Sequence, residues 1–217
     1  MRSALVLVGA SGAGKTTVAA RLIEKTGGFS MVRSITTRAP RGDGHDGEYI
    51  YTDREGFIKR QENGELLEYM EYGGNFYGTP ISELERIFSE EKIPLLILDI
   101  EGVKSLRRAE LEFRPAVIYI WGNLHDIERR LYERDLRDQP TADKLISFVK
   151  RKEMNVRDYL SMPDIAHLFD SFVENINIED TARSVLEIFS SISDGSATDV
   201  VANREVAKRL RKMAIEN

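Results

Sequence analysis

Four continuous apolar runs stand out along the chain, at residues 3–8, 93–100 and 116–121 and, more weakly, at 171–178. Continuous apolar runs, as opposed to alternating ones, indicate strands that are buried on both faces, as in a parallel sheet. Between the runs, apolar residues repeat every three or four positions, which predicts helices. These helices are expected near 15–25, 81–91, 102–111, 124–137, 143–160, 179–192 and 199–214. The pattern predicts an α/β fold in which helices cover both faces of a parallel sheet.

The segment 29–80 has a different pattern, with short alternating pieces and many glycines and tyrosines. It is predicted to be a small β-rich insertion between the first helix and the second core strand. Residues 193–198 (SDGSAT) are polar and small, which predicts a linker before the last helix.

Composition excludes several classes of protein. The 217 residues include no cysteine, so thiol nucleophiles and zinc–thiolate or iron–sulfur centres are excluded. The net charge of −5 argues against general binding to nucleic acid or acidic membranes. No apolar run is long enough to span a bilayer, and the N-terminal run continues into a glycine-rich segment without a cleavage region. A cytoplasmic protein that does not bind membranes or nucleic acid is therefore expected.

Residues 9–16 (GASGAGKT) match the pattern G-x-x-x-x-G-K-[ST] at every position. Glycines allow successive backbone N–H groups to turn toward a phosphate, and the following helix adds its positive N-terminal end. Lys15 can reach the β- and γ-phosphates of a nucleotide, and the Thr16 hydroxyl can bind Mg²⁺. A glycine-rich turn that matches by chance is the alternative. The predicted triphosphate site comprises Gly9, Ala10, Ser11, Gly12, Ala13, Gly14, Lys15, Thr16 and Thr17.

A second anion site is predicted in 33–42 (RSITTRAPRG), where Arg33, Arg38 and Arg41 occur without an acidic residue. Arginine binds phosphate through two parallel hydrogen bonds, so the cluster suggests a phosphorylated acceptor; a solvated loop is the alternative. Glu68 could accept hydrogen bonds from the N1–H and N2–H₂ edge of guanine, whereas adenine presents an acceptor there. Taken alone, Glu68 fits an exposed helix or turn position better than a base-recognition site.

Several motifs, in this order along the chain, resemble those of the guanylate kinases. They are SITTRAPR (34–41), YIY (49–51), LLEY (66–69), GNFYGT (74–79) and LDIEGV (98–103). With the phosphate loop, the resemblance covers about residues 3–190. It implies a P-loop kinase that uses ATP and Mg²⁺ to phosphorylate GMP, and dGMP with it. It implies one domain, with a core at about 1–30, 92–128 and 160–192, a GMP-binding insertion at 31–80, a helical lid at 129–158, and a linker and C-terminal helix at 193–217.

The resemblance also implies roles for individual residues. The GMP phosphate would be held by Arg38, Arg41, Tyr49 and Tyr77, and the guanine would be recognised by Ser34, Glu68 and Thr79. Asp99 would lie near Mg²⁺ and GMP. A carboxylate at the end of a buried strand also points toward the ligand crevice of an α/β sheet, with an exposed strand-end residue as the alternative and Glu101 as a weaker candidate. Lid arginines Arg130, Arg134 and Arg151 would contact the transferred phosphate, and Asn175 would lie near the adenine of ATP.

Several positions depart from the family pattern. The segment after Asp99 is two residues shorter than usual, and the segment before Tyr49 is one residue shorter. Two other functions remain open at this point. The chain could be a P-loop kinase for another phosphorylated acceptor, such as a ribose phosphate, or an inactive guanylate-kinase-like interaction module. A monomer or a homodimer is expected.

Overall fold

The structure is a computed structural model that describes residues 2–40, 47, 49–72, 74–137, 140–195 and 199–216. The chain forms two compact units. The first comprises Met1–Val6 and Leu22–Pro115, and the second comprises Leu7–Arg21 and Ala116–Asn217. Within the described ranges, every helix is too short or too polar to cross a membrane.

The first unit contains the start of strand β1, the end of helix α1 and the elements that follow. The bounds are β1 Arg2–Gly9, α1 Lys15–Thr26, β2 Phe29–Met31, β3 Ser34–Thr36, β4 Tyr49–Tyr51, α2 Arg54–Glu62, β5 Leu66–Tyr72, β6 Asn75–Pro80, α3 Ile81–Ser89, β7 Ile93–Ile97 and α4 Ile100–Arg108. In this unit β7 lies between β2 and β1, and β2 and β7 are parallel. A separate four-stranded sheet has the order β4-β3-β6-β5.

The second unit contains the end of β1, the glycine-rich loop and the start of α1. Its other elements are β8 Phe113–Trp121, α5 Leu124–Asp135, α6 Ala142–Ile165, β9 Ser171–Glu174, α7 Ile178–Ser193 and α8 Val200–Glu216. Here β8 lies between β1 and β9, and β8 and β9 are parallel. Residues 116–121 of β8 are at most 3% exposed, as expected for a strand covered on both faces. The predicted α/β fold with a helix-covered parallel sheet is confirmed.

Two predicted strands extend beyond the ends of the strands in the structure. The apolar run 93–100 ends as a strand at Ile97, because Asp99 accepts a hydrogen bond from the Gly102 backbone N–H and so starts α4. The run 171–178 ends as a strand at Glu174, because Asn177 caps α7 in the same way. In both places a capping side chain overrides the apolar pattern.

The predicted insertion is less purely β than its pattern suggested. It contains α2, which Asp53 caps and which buries only Phe57. A helix with one buried residue has almost no apolar periodicity, so the pattern could not reveal it. Its first strand, β2, belongs to the sheet that contains β7 and β1.

Candidate active site

The glycine-rich loop between β1 and α1 has the backbone conformation that its sequence requires. Gly9, Gly12 and Gly14 have positive φ angles of 147°, 88° and 93°. A side chain at Gly14 would collide with the amide of Asn175, and one at Gly9 would collide with the Ile120 carbonyl of β8. The loop is therefore restricted to glycine at these points by its neighbours as well as by its φ angles.

Lys15 lies at the first position of α1, and its ammonium group folds back over the loop. Its Nζ donates to the carbonyl oxygens of Gly9 and Ala10, at 2.7 and 3.0 Å. Thr16 and Thr17 follow on the exposed N-terminal turn of the helix. The ammonium group and the free end of the helix thus lie at the same loop, the arrangement that binds phosphate in nucleotide-binding proteins.

Asn175, just after β9, holds the loop, and Thr181 in α7 holds Asn175. The Asn175 Nδ2 donates to the Ala13 carbonyl at 2.7 Å, and its Oδ1 accepts from the Thr181 hydroxyl at 3.0 Å. Both side chains are at most 4% exposed. The adenine role that the resemblance implies for Asn175 stays a prediction, and its side-chain amide also hydrogen-bonds the phosphate loop. Thr181 was not predicted at all.

Asn155, in the middle of α6, was also not predicted. Its side chain is 3% exposed and exchanges two hydrogen bonds with the backbone of Ser11. No local motif marks it, because its partner lies 144 residues away. The one available signal is a polar residue on the buried face of a predicted helix.

The three lid arginines all lie in the second unit, on α5 and α6. The Arg130 guanidinium donates to the Asn175 carbonyl at 3.4 Å. Arg134 contacts Asp135 through two nitrogens, at 2.7 and 3.0 Å, and Arg151 contacts the same carboxylate at 3.1 Å. Burial by itself raises the pKa of Asp135, but hydrogen bonding and positive charge from Arg134, with the charge of Arg151, outweigh it and lower the pKa. A cluster of two arginines around one carboxylate is thus formed.

A depression lies at the carboxyl ends of β8 and β9. Its lining includes Gly122, Asn123, Asp126, Arg130, Asn175 and Ile176. The carboxyl ends of parallel strands are where α/β sheets bind ligands.

In the first unit, the predicted acceptor residues lie on one face of the four-stranded sheet. Directly paired residues point to the same side of a sheet, as do residues two apart along one strand. The pairs Ser34–Tyr49, Thr36–Tyr77 and Glu68–Thr79, with Tyr77 and Thr79 two apart on β6, therefore share a face. The strand register thus brings together residues that are up to 45 positions apart in the sequence.

Glu68 is a buried carboxylate, 7% exposed, and not the exposed residue that it could have been from sequence alone. It accepts a hydrogen bond of 2.6 Å from the Thr79 hydroxyl. Burial raises the pKa of Glu68 to about 6, the Thr79 hydrogen bond opposes this rise, and the charge of Asp99 adds to it. At neutral pH this face therefore presents a desolvated hydrogen-bond acceptor.

Arg38 lies at the end of the same face. Its guanidinium is 4.9 Å from the centre of the Tyr49 ring, and Tyr49 in turn packs edge-on against Tyr77. Its Nε is buried and has no hydrogen-bond partner among the residues that the structure describes. The buried Thr36 hydroxyl accepts from the Arg38 N–H and donates to the Phe76 carbonyl, so Thr36 positions the start of this segment. The predicted phosphate ligand Arg41 lies outside the described residues.

Arg33 does not belong to the anion cluster in which the sequence suggested it. Two of its nitrogens contact the buried carboxylate of Glu83, at 3.0 and 2.7 Å. The hydrogen bond from Arg33 is the main cause that lowers the pKa of Glu83 to about 2; burial opposes it, and Arg86 adds to it. Arg33 is therefore neutralised within the first unit, and its predicted contribution to a +3 cluster is wrong.

Asp99, the predicted metal neighbour, serves as the N-cap of α4 through one carboxylate oxygen. Gly102 lies close to it: a Cβ on Gly102 would come within 3.4 Å of both Asp99 Oδ1 and Glu68 Oε2. Glu101 is exposed and pairs with Lys104. Across the described ranges, no group of three or more His, Cys, Asp or Glu side chains could hold a metal. A Mg²⁺ ion at Thr16 or Asp99 would thus depend on nucleotide phosphates and water for its other ligands.

Comparisons with known proteins show which family the sequence matches. The sequence model of the family described as guanylate kinase matches residues 1–192. A guanylate kinase from Oleidesulfovibrio alaskensis is 34% identical over 176 residues, covering 81% of this chain and 80% of that relative. One from Thermus thermophilus is 34% identical over 208 residues, covering 93% and 89%. The crystal structure of guanylate kinase from Anaplasma phagocytophilum has a TM-score of 0.64 at 24% identity and covers 97% of this chain and 96% of its own; it shows the same fold.

Proposed function

Because the chain belongs to the guanylate kinase family, we propose that it transfers the γ-phosphate of ATP to GMP, and to dGMP, giving ADP and the nucleoside diphosphate. One observation supports the acceptor most directly. The buried Glu68–Thr79 pair lies on the same sheet face as Arg38 and its tyrosines. A carboxylate for a guanine edge and a cation for a monophosphate thus occur on one surface.

The proposed acceptor site uses this face in two parts. Glu68 accepts from guanine N1–H and N2–H₂, and Thr79 and Ser34 complete the recognition of the base. A base without those donors would leave the buried carboxylate with the Thr79 hydrogen bond but without the donors of guanine, which costs far more than a lost surface contact. The phosphate of GMP is held by Arg38, Arg41, Tyr49 and Tyr77, and the unpartnered Nε of Arg38 is consistent with an anion ligand there.

The proposed donor site is the glycine-rich loop with its neighbours. Its backbone N–H groups and Lys15 bind the β- and γ-phosphates, so Lys15 must exchange the Gly9 and Ala10 carbonyls for phosphate oxygens. Arg130, Arg134 and Arg151 offset the charge on the transferred group. The depression beside Arg130 and Asn175 is the proposed adenine site. There Asn175 would line the site with its backbone, while its side chain hydrogen-bonds the Ala13 carbonyl of the loop.

Mg²⁺ is the proposed cofactor, and the residues present fit it because a threonine hydroxyl and a carboxylate are the hard oxygen ligands that it prefers. Thr16 and Asp99 are the proposed contributors. When bound, Mg²⁺ would offset negative charge on the phosphates.

The residues of this chain act mainly by position and charge. Phosphoryl transfer passes through a transition state with little covalent help from protein, so in-line placement and neutralisation of charge carry the catalysis. We expect no covalent enzyme intermediate and no obligatory general base. We also expect a protein that works in the cytoplasm as a monomer or a homodimer.

A coupled assay of ADP release tests this proposal. GMP and dGMP should be phosphorylated, while AMP, CMP, UMP and ribose phosphates should not be. Glu68→Ala should lose the preference for GMP over AMP, whereas Glu71→Ala, which removes an exposed carboxylate from the same strand, should keep it. Turnover of a ribose phosphate in preference to GMP, or no turnover of any acceptor, would refute the proposal.

A further inference from the structure

Asn155 has an unusual environment for a mid-helix asparagine. Its Oδ1 accepts from the Ser11 backbone N–H at 2.8 Å, and its Nδ2 donates to the Ser11 carbonyl at 2.9 Å. Asparagine is a weak helix former, and its amide is costly to bury without partners. Both polar groups of the Asn155 side chain are therefore hydrogen-bonded to the backbone of one residue of the phosphate loop, Ser11.

These two bonds determine which loop N–H groups are available to a ligand. The Ser11 N–H donates to Asn155, and the Ala13 N–H donates to the Ala10 carbonyl at 3.0 Å, so both are already used within the protein. A phosphate would then be bound by the N–H groups from Gly14 into the first turn of α1. Asn155 thus stabilises one of the conformations that a glycine-rich loop can adopt.

The same face of α6 makes two other polar contacts, each one helical turn from Asn155. Arg151 pairs with Asp135, which also holds Arg134. Tyr159, fully buried, donates to the Gly122 carbonyl at 2.8 Å and accepts from the Gly122 N–H at 3.2 Å. Residues four apart lie on one face of a helix. This face therefore joins the phosphate loop, the end of β8 and the arginine cluster.

We infer that Asn155 is a positioning residue for the donor nucleotide, which fixes the phosphate loop to α6 and thereby sets its distance from Arg151 and Arg134. The inference rests on the proposed function, since it assigns the loop to ATP. Asn155 does not touch the nucleotide; it acts through the Ser11 peptide. Loss of the Asn155 side chain should therefore weaken the binding of ATP and leave the binding of GMP unchanged.

The test compares Asn155→Ala and Asn155→Asp with a matched control, Asn203→Ala. Asn203 is another buried helical asparagine, and it hydrogen-bonds the carbonyls of Phe169 and Asp170. Calorimetry gives the Kd of a non-hydrolysable ATP analogue and of GMP for each variant, and thermal melts give stability. Asn155→Asp keeps the side-chain volume and the oxygen that accepts from the Ser11 N–H, but it loses the N–H₂ group that donates to the Ser11 carbonyl. This variant therefore still tests the inference if the alanine variant fails to fold.

Loss of the Ser11 bonds should raise the Kd of the ATP analogue about tenfold in both Asn155 variants, the usual scale for one or two net hydrogen bonds. The Kd of GMP should stay within about twofold of the wild-type value. In Asn203→Ala the Kd values of GMP and of the ATP analogue should both stay within that range, even if this variant loses as much melting temperature as the Asn155 variants do. Wild-type affinity for the analogue in a folded Asn155 variant would overturn the inference. If the wild-type protein failed to phosphorylate GMP, the proposed function would fail, whereas the analogue Kd would still test Asn155.

Discussion

Glu68→Gln should make the protein more stable while it removes guanine recognition. Burial raises the pKa of Glu68 from 4.5 to about 6. A difference of about 1.5 pKa units corresponds to about 2 kcal/mol that the ionised group costs the folded state. Glutamine has the same shape, can still accept from the Thr79 hydroxyl and cannot ionise, so it should recover most of this free energy.

The sign of the pH dependence follows from the raised pKa. The folded protein binds the Glu68 proton more tightly than the unfolded chain does, so the cost is complete above pH 6 and disappears as the pH falls below 4.5. Glu68→Gln should therefore raise the melting temperature at pH 7.5 by about 4–8 °C, the shift expected from about 2 kcal/mol in a domain of this size. At pH 4 the two proteins should melt together. Glu71→Gln, at an exposed position of the same strand, should show no gain.

The same substitution should weaken GMP binding by about a hundredfold, because an amide N–H₂ then faces the N–H donors of guanine. In the wild-type protein, Glu68 should also make the KM for GMP rise as the pH falls below 6. The second ionisation of a phosphate monoester occurs near pH 6 as well. The ratio of wild-type to Glu68→Gln KM between pH 5 and 8 isolates the carboxylate, because the phosphate titrates equally in both. A variant that melts at or below the wild-type temperature at pH 7.5 would refute the reasoning about burial.

Three further predictions follow from other contacts. Lys15→Met should lower kcat by at least about a hundredfold, as for loss of one donor to the transferred group, and leave the Kd of GMP unchanged by calorimetry; a kcat within tenfold of the wild type would contradict the role of Lys15. Thr36→Val removes the acceptor of the Arg38 N–H and leaves the Phe76 carbonyl with the Thr37 N–H alone, so denaturant titration should show a loss of about 1–3 kcal/mol, and the KM for GMP should rise while that for ATP does not. Arg33→Met should lower the melting temperature at pH 7, since the depressed pKa of Glu83 stabilises the fold above pH 4.5, and the difference should shrink as the pH falls toward 2; a difference independent of pH would exclude the ion pair as its source.

Local chemistry made most of the core predictable. The continuous apolar runs became β1, β7, β8 and β9, and the glycine-rich loop lies between β1 and α1 as its motif requires. Strand ends were less accurate, because Asp99 and Asn177 start helices inside apolar runs. Helix α2 was missed because it buries one residue and so leaves no periodic signal.

The acceptor face shows where sequence reasoning depends on register. Ser34, Tyr49, Glu68, Tyr77 and Thr79 can be selected by residue type and resemblance, but only the pairing of β3, β4, β5 and β6 puts them on one side. Arg33 shows the converse. Its neighbours in sequence suggest an anion site, while its position in space is beside Glu83, 50 residues away. Arginines that are close in sequence are therefore weaker evidence for an anion site than polar residues that strand pairing places on one face of a sheet.

Asn155, which holds the phosphate loop, could not be found from a motif, yet it belongs to a pattern that the sequence does contain. Arg151, Asn155 and Tyr159 are spaced by four on α6, and each makes a polar contact within the second unit. A helix that only packed against a core would carry apolar residues at these positions. Because buried polar groups need partners, such a row implies that the helix contacts backbone or charged groups rather than apolar side chains. In this chain, two of the three partners are peptides at the ends of core strands, Ser11 after β1 and Gly122 after β8, where a parallel sheet binds its ligand.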